Sequence, residues 1–246
     1  MNTSMDELKN LIARLRREKY PDADVIFLAG SVIRGEGTRT SDLDVVVVYD
    51  SLANAWRDSY RYGDWPVEAF VHDPQTLEYF IHKVDAPGGV PSLAAMVSEG
   101  IELPAPTKFS KRLKQLANDA LQSGPPRWAA KDIDSSRYFI SDLIEDLKEP
   151  RTPGEMYAIA SQLYNAIANH YFRSRGLWSA NGKTIPRRLR KIDETFAARF
   201  EGAFNSVFAH GKPDELIALA VDMLSAHGGF LFEGHRLEAP QDWRIG

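Results

Sequence analysis

The spacing of apolar positions changes along the chain and divides it into two parts. Up to about residue 105, short apolar runs that suit buried strands alternate with stretches of helical period. After Pro104 and Pro106, every segment with a clear period repeats at about 3.6 residues, the period of an α-helix. The pattern therefore predicts an α/β (α+β) domain with a small mixed sheet over residues 1–105, followed by an all-α helical bundle domain over residues 106–246.

Short runs rich in β-branched residues predict the strands of the first part. They are "DVIFLAG", "LDVVVVYD" and "PVEAFVHD", with a further brief strand at "IEL". Helices are predicted over residues 5–18, in "LANAWRDSYRY", in "PQTLEYFIHKV" and around Met96. The first part is thus expected to carry helices between the strands of its sheet.

In the second part, every segment with a clear period predicts a helix. The predicted helices cover residues 108–122, 132–148, 153–175, 185–209 with a break, and 213–227. The third of them has a clear start signal, because Thr152 can cap it, Pro153 suits its first turn and Glu155 completes a capping box. Short connections between these helices favour a bundle.

Composition limits the possible functions. The chain has 246 residues, 43% of them hydrophobic, which suffices for two cores of modest size. Its net charge of −4 gives no basic field of the kind that binds an extended nucleic acid. The absence of cysteine excludes disulfides, thiolate nucleophiles and cysteine-ligated zinc. Because no apolar run approaches the roughly 18 residues that cross a bilayer, and residues 1–15 lack the apolar core of a signal peptide, we expect a cytoplasmic protein with no membrane partner.

Two aspartates interrupt the second predicted strand at its start. In "SDLDVVVV", Asp42 and Asp44 flank Leu43 and therefore share one face of the strand. Two carboxylates about 7 Å apart repel each other in a partly buried setting unless a cation lies between them. Magnesium accepts such oxygen ligands and keeps positions open for phosphates. The pair therefore predicts a magnesium site.

A third acid fits the same site. Glu68 is flanked by Val67 and Ala69 in the next strand candidate, so it places a charge in an apolar alternation. Three carboxylates can hold two metal ions on either side of a phosphoryl group. Asp73 is the alternative third ligand if the strand register is shifted, although it abuts Pro74 and suits the cap of a helix better.

The turn before the aspartates favours an anion. Gly30 ends the first predicted strand, Ser31 is predicted to begin a helix, and Gly35 and Gly37 allow close approach of the backbone. Amide groups at a helix start and the Ser31 hydroxyl would then face a phosphate. Metal ligands on one side and amide donors on the other suit phosphoryl or nucleotidyl transfer.

The stretch "AGSVIRGEGTRTSDLDVVVV" resembles the signature of the polymerase-β-like nucleotidyltransferase superfamily. The helical second half makes the chain similar to bacterial aminoglycoside nucleotidyltransferases. The motif resemblance covers about residues 25–73, and the remainder resembles these enzymes in architecture only. The resemblance to these enzymes implies a nucleotidyltransferase fold. It also implies a nucleoside triphosphate such as ATP as substrate and Mg²⁺ as cofactor, with two ions in the site.

The resemblance also implies roles for single residues. The nucleotide phosphates would lie at Gly30 and Ser31, with Ser41 close to them. Asp42 and Asp44 would bind magnesium. Glu68 would either complete the metal site or accept the proton of the attacking hydroxyl group.

The helical half is predicted to bind the acceptor, since a site at one edge of a small sheet needs a second wall. Three of its residues are candidates for the same reaction. Asp142 lies opposite the apolar stripe of its helix, where it can contact a cationic acceptor, act as the general base or simply face solvent. Lys183 and Arg187 follow a turn and either bind the triphosphate, as basic residues do in similar enzymes, or form a basic helix face in water.

His72 follows the third predicted strand of the first part and is interpreted as a surface or packing residue.

The combined pattern predicts a magnesium-dependent enzyme that moves AMP from ATP to a hydroxyl group of a small acceptor and releases pyrophosphate. An aminoglycoside-like acceptor follows mainly from the resemblance. Modification of a protein or tRNA partner is the alternative reaction, and a non-catalytic nucleotide sensor is the alternative class of function. The sequence leaves open whether Glu68 or an acid of the helical half is the general base.

Overall fold

The chain forms two compact units, Met1–Gly124 and Pro125–Gly246. The computed structural model describes residues 4–240, 243 and 244. The first unit holds a mixed sheet with helices, and the described residues of the second form helices and their connections. This architecture confirms the predicted fold class.

A five-stranded sheet organises the first unit. Its strands are β1 Val25–Ala29, β2 Leu43–Val48, β3 Trp56–Tyr62, β4 Trp65–His72 and β5 Ile101–Leu103. The strand order is β3-β4-β2-β1-β5. β2 and β4 run parallel, whereas the other neighbouring pairs are antiparallel. The central strand β2 therefore lies between β4 and β1, and its two neighbours run in opposite directions.

The segment "LANAWRDSYRY" does not contain the predicted helix. Trp56–Tyr62 is strand β3. A tight turn at Gly63 and Asp64 connects it to β4, so that Tyr62 at the end of β3 pairs with Trp65 at the start of β4. Gly63 has a φ of +58°, which suits a turn of this kind. The helix prediction was wrong because the segment is also rich in aromatic residues, which favour strands. Pairing of the segment with β4 makes it a strand and not a helix.

Helix α1 (Met5–Lys19) covers one face of the sheet. Its buried residues Leu8, Ile12 and Leu15 recur at helical spacing and so form one stripe. They share a core with side chains that alternate along the strands, among them Val45 of β2 and Ala69 of β4. The residues between these positions, including the acidic ones, therefore point to the other face.

Helical elements cover that second face. They are α2 Pro74–Tyr79, a π-helical turn Phe80–Asp85, α3 Ala86–Gly88, α4 Ser92–Glu99 and α5 Lys108–Ser123. Leu77 of α2 and Val97 of α4 are buried against Phe27 of β1 and Val46 of β2. The sheet thus has an apolar core on each side.

Helix α5 lies within the first compact unit, although the sequence pattern assigns residues 106–124 to the helical domain. Its buried residues Leu113 and Ala117 share a core with Leu93 and Val97 of α4. The division falls at Gly124, directly after α5. The change of hydrophobic period shows only where consecutive helices begin along the sequence. The first unit ends later, at Gly124, because α5 packs against α4. The functions assigned to the two domains stay predictions.

The second unit is built from helices around one core. They are α6 Ala130–Lys148, α7 Pro153–Arg173, α8 Ile185–Ile192, α9 Glu194–His210 and α10 Asp214–Ser225. The break predicted within residues 185–209 lies at Asp193, whose carboxylate accepts a hydrogen bond from Phe196 N–H at 2.9 Å and caps α9. Ile144, Leu163 and Phe200 are fully buried in the core. Across the described residues, every helix is too short or too polar to span a bilayer.

Candidate functional site

Three carboxylates gather at the end of the sheet where β1 stops and β2 begins. Asp44 in β2 lies opposite Glu68 in the parallel strand β4 and opposite Ala29 in β1. Asp42 comes two residues before Asp44. One oxygen atom from each of Asp42, Asp44 and Glu68 lies within 4.8 Å of the other two, and all three residues are half-buried.

Strand geometry explains why these groups meet. Side chains two residues apart share a face, which brings Asp42 to the side of Asp44. Neighbouring strands lie about 4.8 Å apart, which brings Glu68 beside Asp44. Negative charges this close repel one another unless a cation balances them. The oxygen donors suit a hard divalent ion such as magnesium, and the role of the three residues as metal ligands stays a prediction.

Gly30 makes room for one of these carboxylates. It follows β1 directly and has a φ of +85°, a conformation that favours glycine. A Cβ atom at this position would lie 2.0 Å from Oδ2 of Asp44, far inside van der Waals contact. Any other residue at position 30 would therefore displace the Asp44 side chain. The glycine of the turn and the acid of the strand form one packed arrangement.

The segment after Gly30 forms consecutive turns, and the helix predicted to begin at Ser31 is absent from it. Glu36 N–H donates to the carbonyl of Ser31 at 2.9 Å, and Gly35 N–H donates to that of Val32 at 3.3 Å. Gly35 has a φ of +73°, which ends any helical path. The amide groups of Gly35 and Glu36 are therefore used within the turn, and the binding of an anion by the Ser31 hydroxyl and the other amides stays a prediction.

Ser41 links this turn to the acidic strand. Its hydroxyl oxygen accepts hydrogen bonds from Thr38 N–H at 2.8 Å and from the hydroxyl of Ser31 at 3.4 Å. Ser41 N–H donates in turn to the carbonyl of Thr38 at 3.2 Å. Because Asp42 follows Ser41 in the chain, the two serine hydroxyls lie on the segments that border the carboxylates. Their contact with nucleotide phosphates stays a prediction.

Arg57 in β3 pairs with Glu68, a contact that the sequence pattern does not predict. Its Nη2 lies 2.5 Å from Oε2 of Glu68. Its guanidinium carbon lies 4.8 Å from the centre of the Phe70 ring, which is opposite Arg57 in the strand register. The available signal was the Gly63 and Asp64 pair, because a glycine-containing two-residue link between aromatic residues predicts a hairpin and so a strand at residue 57.

Asp73, the alternative third ligand, is engaged elsewhere. Its carboxylate caps α2 by accepting from Thr76 N–H at 2.8 Å, and it also accepts from Leu52 N–H at 3.1 Å. Burial alone raises the pKa of Asp73, but these hydrogen bonds outweigh that effect and leave the pKa below its ordinary value. Asp73 is therefore a structural cap in this fold, and Glu68 is the acid that lies beside Asp44.

His72 is a packing residue of the same region. Only 4% of its surface is exposed, and its ring meets that of Phe80 edge-on at 5.0 Å between centres. Burial lowers the pKa of His72 to about 4, although nearby Asp73 acts in the opposite direction. The imidazole is therefore neutral near neutral pH.

The candidates of the helical half all lie on the surface of the second unit. Asp142 is exposed on α6, Lys183 is exposed in the 3-10 turn Gly182–Thr184, and Arg187 is exposed on α8. In the next residue, Arg188, the Nε atom donates to the carbonyl of Trp178 at 3.3 Å, and burial lowers the pKa of the guanidinium. The roles of Asp142, Lys183 and Arg187 in substrate binding stay predictions.

Comparison with known proteins gives one family match. Residues 8–86 match a family model described as a nucleotidyltransferase domain. No curated protein matches the chain significantly. Among solved structures, the chain is similar to a nucleotidyltransferase-like protein from Exiguobacterium sibiricum 255-15, with 15% identity, 89% of this chain and 73% of that chain covered, and a TM-score of 0.43. The matched range of the family model includes the glycine turn, the three carboxylates and Arg57.

Proposed function

Since the chain carries a nucleotidyltransferase domain of the polymerase-β-like superfamily and is a nucleotidyltransferase, we propose that it transfers AMP from ATP to a hydroxyl group of a small acceptor, with magnesium as the cofactor. The observation that carries this proposal is the approach of Asp42, Asp44 and Glu68 oxygens to within 4.8 Å of one another. They lie beside a turn in which Gly30 leaves room for the Asp44 carboxylate.

The proposed reaction makes one bond and breaks one. The hydroxyl oxygen of the acceptor bonds to the α-phosphorus of ATP. The bond from that phosphorus to the oxygen bridging the β-phosphate breaks, and its electron pair leaves with pyrophosphate. The proton of the hydroxyl group passes to a carboxylate, for which Glu68 is our candidate. When bound, two magnesium ions stabilise the negative charge of the transferred group and of the leaving group.

The residues of the chain mainly position the reactants. Asp42 and Asp44 are proposed to hold the metal ions, with Glu68 completing the site. The Ser31 and Ser41 hydroxyls and the turn amides are proposed to hold the phosphates. Positioning of this kind supplies most of the catalysis in phosphoryl transfer.

Residues of the second unit enter the proposal on the resemblance alone. Lys183 and Arg187 are proposed to add positive charge near the triphosphate, and Asp142 is proposed as an acceptor contact. Alanine substitution of Lys183 or Arg187 is expected to raise the KM for ATP with little effect on protein stability, because both side chains are exposed.

The experiment that tests the function is an incubation of the full chain with labelled ATP, magnesium and a panel of hydroxylated small molecules. We expect pyrophosphate release that depends on the acceptor and is lost in Asp44→Asn. Label found on protein or RNA would instead indicate modification of a macromolecule. Binding of ATP with magnesium but without pyrophosphate release under any condition would indicate a nucleotide sensor.

A further inference from the structure

An apolar cavity of about 300 Å³ lies next to the carboxylates in the first unit. Its wall includes Arg57, Phe70, Phe80, Leu93 and Met96. Phe70 follows Glu68 by two residues in β4, so the two side chains point to the same face of the sheet. The cavity and the acidic cluster therefore adjoin, with Arg57 touching both. The volume is at the lower end of the range for small-molecule pockets.

The ionisable groups of the cavity wall are engaged within the protein. Arg57 pairs with Glu68 at 2.5 Å. The Asp85 carboxylate accepts a hydrogen bond from Leu93 N–H at 2.7 Å, and burial raises its pKa. The Nδ1 atom of His72 lies 3.3 Å from the hydroxyl of Thr76. The wall therefore offers mainly aromatic and aliphatic surface and lacks the set of available carboxylates that a polycation would need.

The position of the cavity relative to the glycine turn indicates which substrate it serves. The turn follows β1, on one side of the carboxylates, whereas the strand residues that line the cavity belong to β3 and β4, on the other side. In phosphoryl transfer the attacking and leaving oxygens lie roughly in line with the phosphorus. If pyrophosphate leaves towards the turn, the acceptor hydroxyl must approach from the side of Glu68 and the cavity.

We infer that this cavity binds an apolar ring of the acceptor and directs the reacting hydroxyl group towards Glu68. The inference rests on the proposed function, because only that function assigns the turn to the phosphates. It specifies the acceptor class as a hydroxylated compound that carries an aromatic or aliphatic ring. An aminoglycoside-like polycation does not match such a wall.

The test is binding of para-fluorobenzyl alcohol, a ring with one hydroxyl group, to the full chain, followed by fluorine NMR. In Ala55→Trp an indole would fill the cavity, since Ala55 belongs to its wall. Ala53→Trp is the matched control, because Ala53 is exposed and lies outside the wall. We expect severalfold broadening of the probe signal by the wild type and the control, and loss of that broadening in Ala55→Trp.

A second variant and a nucleotide complete the test. Ser92→Trp fills the cavity from α4 and is expected to abolish broadening in the same way. Equal broadening by all the proteins, or none by the wild type, would overturn the inference. Saturating α,β-methylene ATP with magnesium is expected to leave the probe bound, whereas displacement would assign the cavity to the nucleobase and also overturn it. Because binding is measured without turnover, the proposed function is judged separately, by pyrophosphate release.

Discussion

The carboxylate of Asp44 occupies the space that a side chain at position 30 would need, with its Oδ2 only 2.0 Å from where a Cβ of that residue would lie. Glycine is thus required at position 30 for two reasons: its φ of +85° favours glycine, and a side chain there would collide with the Asp44 carboxylate. The proposed phosphate turn and the proposed metal site are joined at this contact. A change in one is transmitted directly to the other.

Gly30→Ala is expected to abolish nucleotidyl transfer. The new methyl group displaces the Asp44 carboxylate, and misplacement of a positioning group by about 1 Å can cost about 100-fold in rate. Gly35→Ala is the matched control, since Gly35 also has a positive φ but a Cβ there meets nothing within 4 Å. Pyrophosphate release measures the rate, and the thermal unfolding midpoint shows the strain that both variants share. Equal loss of activity in both would contradict the steric explanation.

Asp44→Asn is expected to weaken metal binding and activity together. The amide keeps the shape of the side chain but removes one of three neighbouring negative charges, so the cluster holds a divalent cation less strongly. The rise of the unfolding midpoint on adding magnesium should shrink, and pyrophosphate release should fall by at least about 100-fold. Asp50→Asn, at an exposed position after β2, is the control and should change neither quantity. Undiminished turnover in Asp44→Asn would reject the metal role.

Arg57→Met is expected to strengthen binding of divalent ions. The guanidinium of Arg57 pairs with Glu68 and repels a cation at the acidic cluster, so its removal should lower the Kd for Mn²⁺ by about two- to fivefold, the range of an exposed ion pair. Electron paramagnetic resonance of bound Mn²⁺ gives the Kd. Arg61→Met, four residues from Arg57 on the same face of β3, is the control and should leave the Kd unchanged, because Arg61 donates to the carbonyl of Asp64. An unchanged or higher Kd in Arg57→Met would show that the pair positions Glu68 and does not compete with the metal.

The buried residue His170 is expected to make stability depend on pH. Burial lowers its pKa to about 4, and the positive charges of His227, Arg175 and Arg137 act in the same direction. Because the unfolded chain takes up this proton at about pH 6.5, stability is full above that pH and falls as the pH drops towards 4, by at most about 3 kcal/mol. Thermal unfolding midpoints between about pH 7 and pH 4.5 measure the effect.

The variant His170→Asn tests the assignment of this pH dependence. Asparagine can keep a hydrogen bond to Ser136, whose hydroxyl lies 3.0 Å from Nδ1 of His170, but it does not titrate. The slope of stability against pH should therefore be smaller in the variant. An unchanged slope would place the titration at other groups, such as buried His72.

Local patterns in the sequence were sufficient for much of this fold. Strand β2, which carries Asp44 and begins directly after Asp42, could be predicted because its run of β-branched residues is visible in the sequence. The helix that begins at Pro153 could be predicted from its cap, since the Thr152 hydroxyl accepts from Glu155 N–H. The expected capping box does not form, because the Glu155 carboxylate accepts from Arg151 N–H. The proximity of Glu68 needed one more step, the assumption that its strand lies beside β2, and the parallel register supplies it.

Contacts that depend on distant pairing could not be predicted in the same way. The pair of Arg57 and Glu68 exists only because β3 folds back on β4, and the segment of β3 carries both helical and strand signals. The clash between a side chain at position 30 and Asp44 depends on the exact end of β1 next to β2. The boundary at Gly124 depends on which neighbour α5 packs against, and a periodic pattern does not contain that information.

The placement of α5 limits how this protein can be recombined. A crossover within the proline-containing stretch near residue 105 would strip Leu113 and Ala117 from α4 and leave an exposed apolar face on the first unit. A crossover at Gly124 and Pro125 would exchange the second unit and keep the first unit intact. Chimaeras that carry a foreign second unit should therefore be joined at that junction.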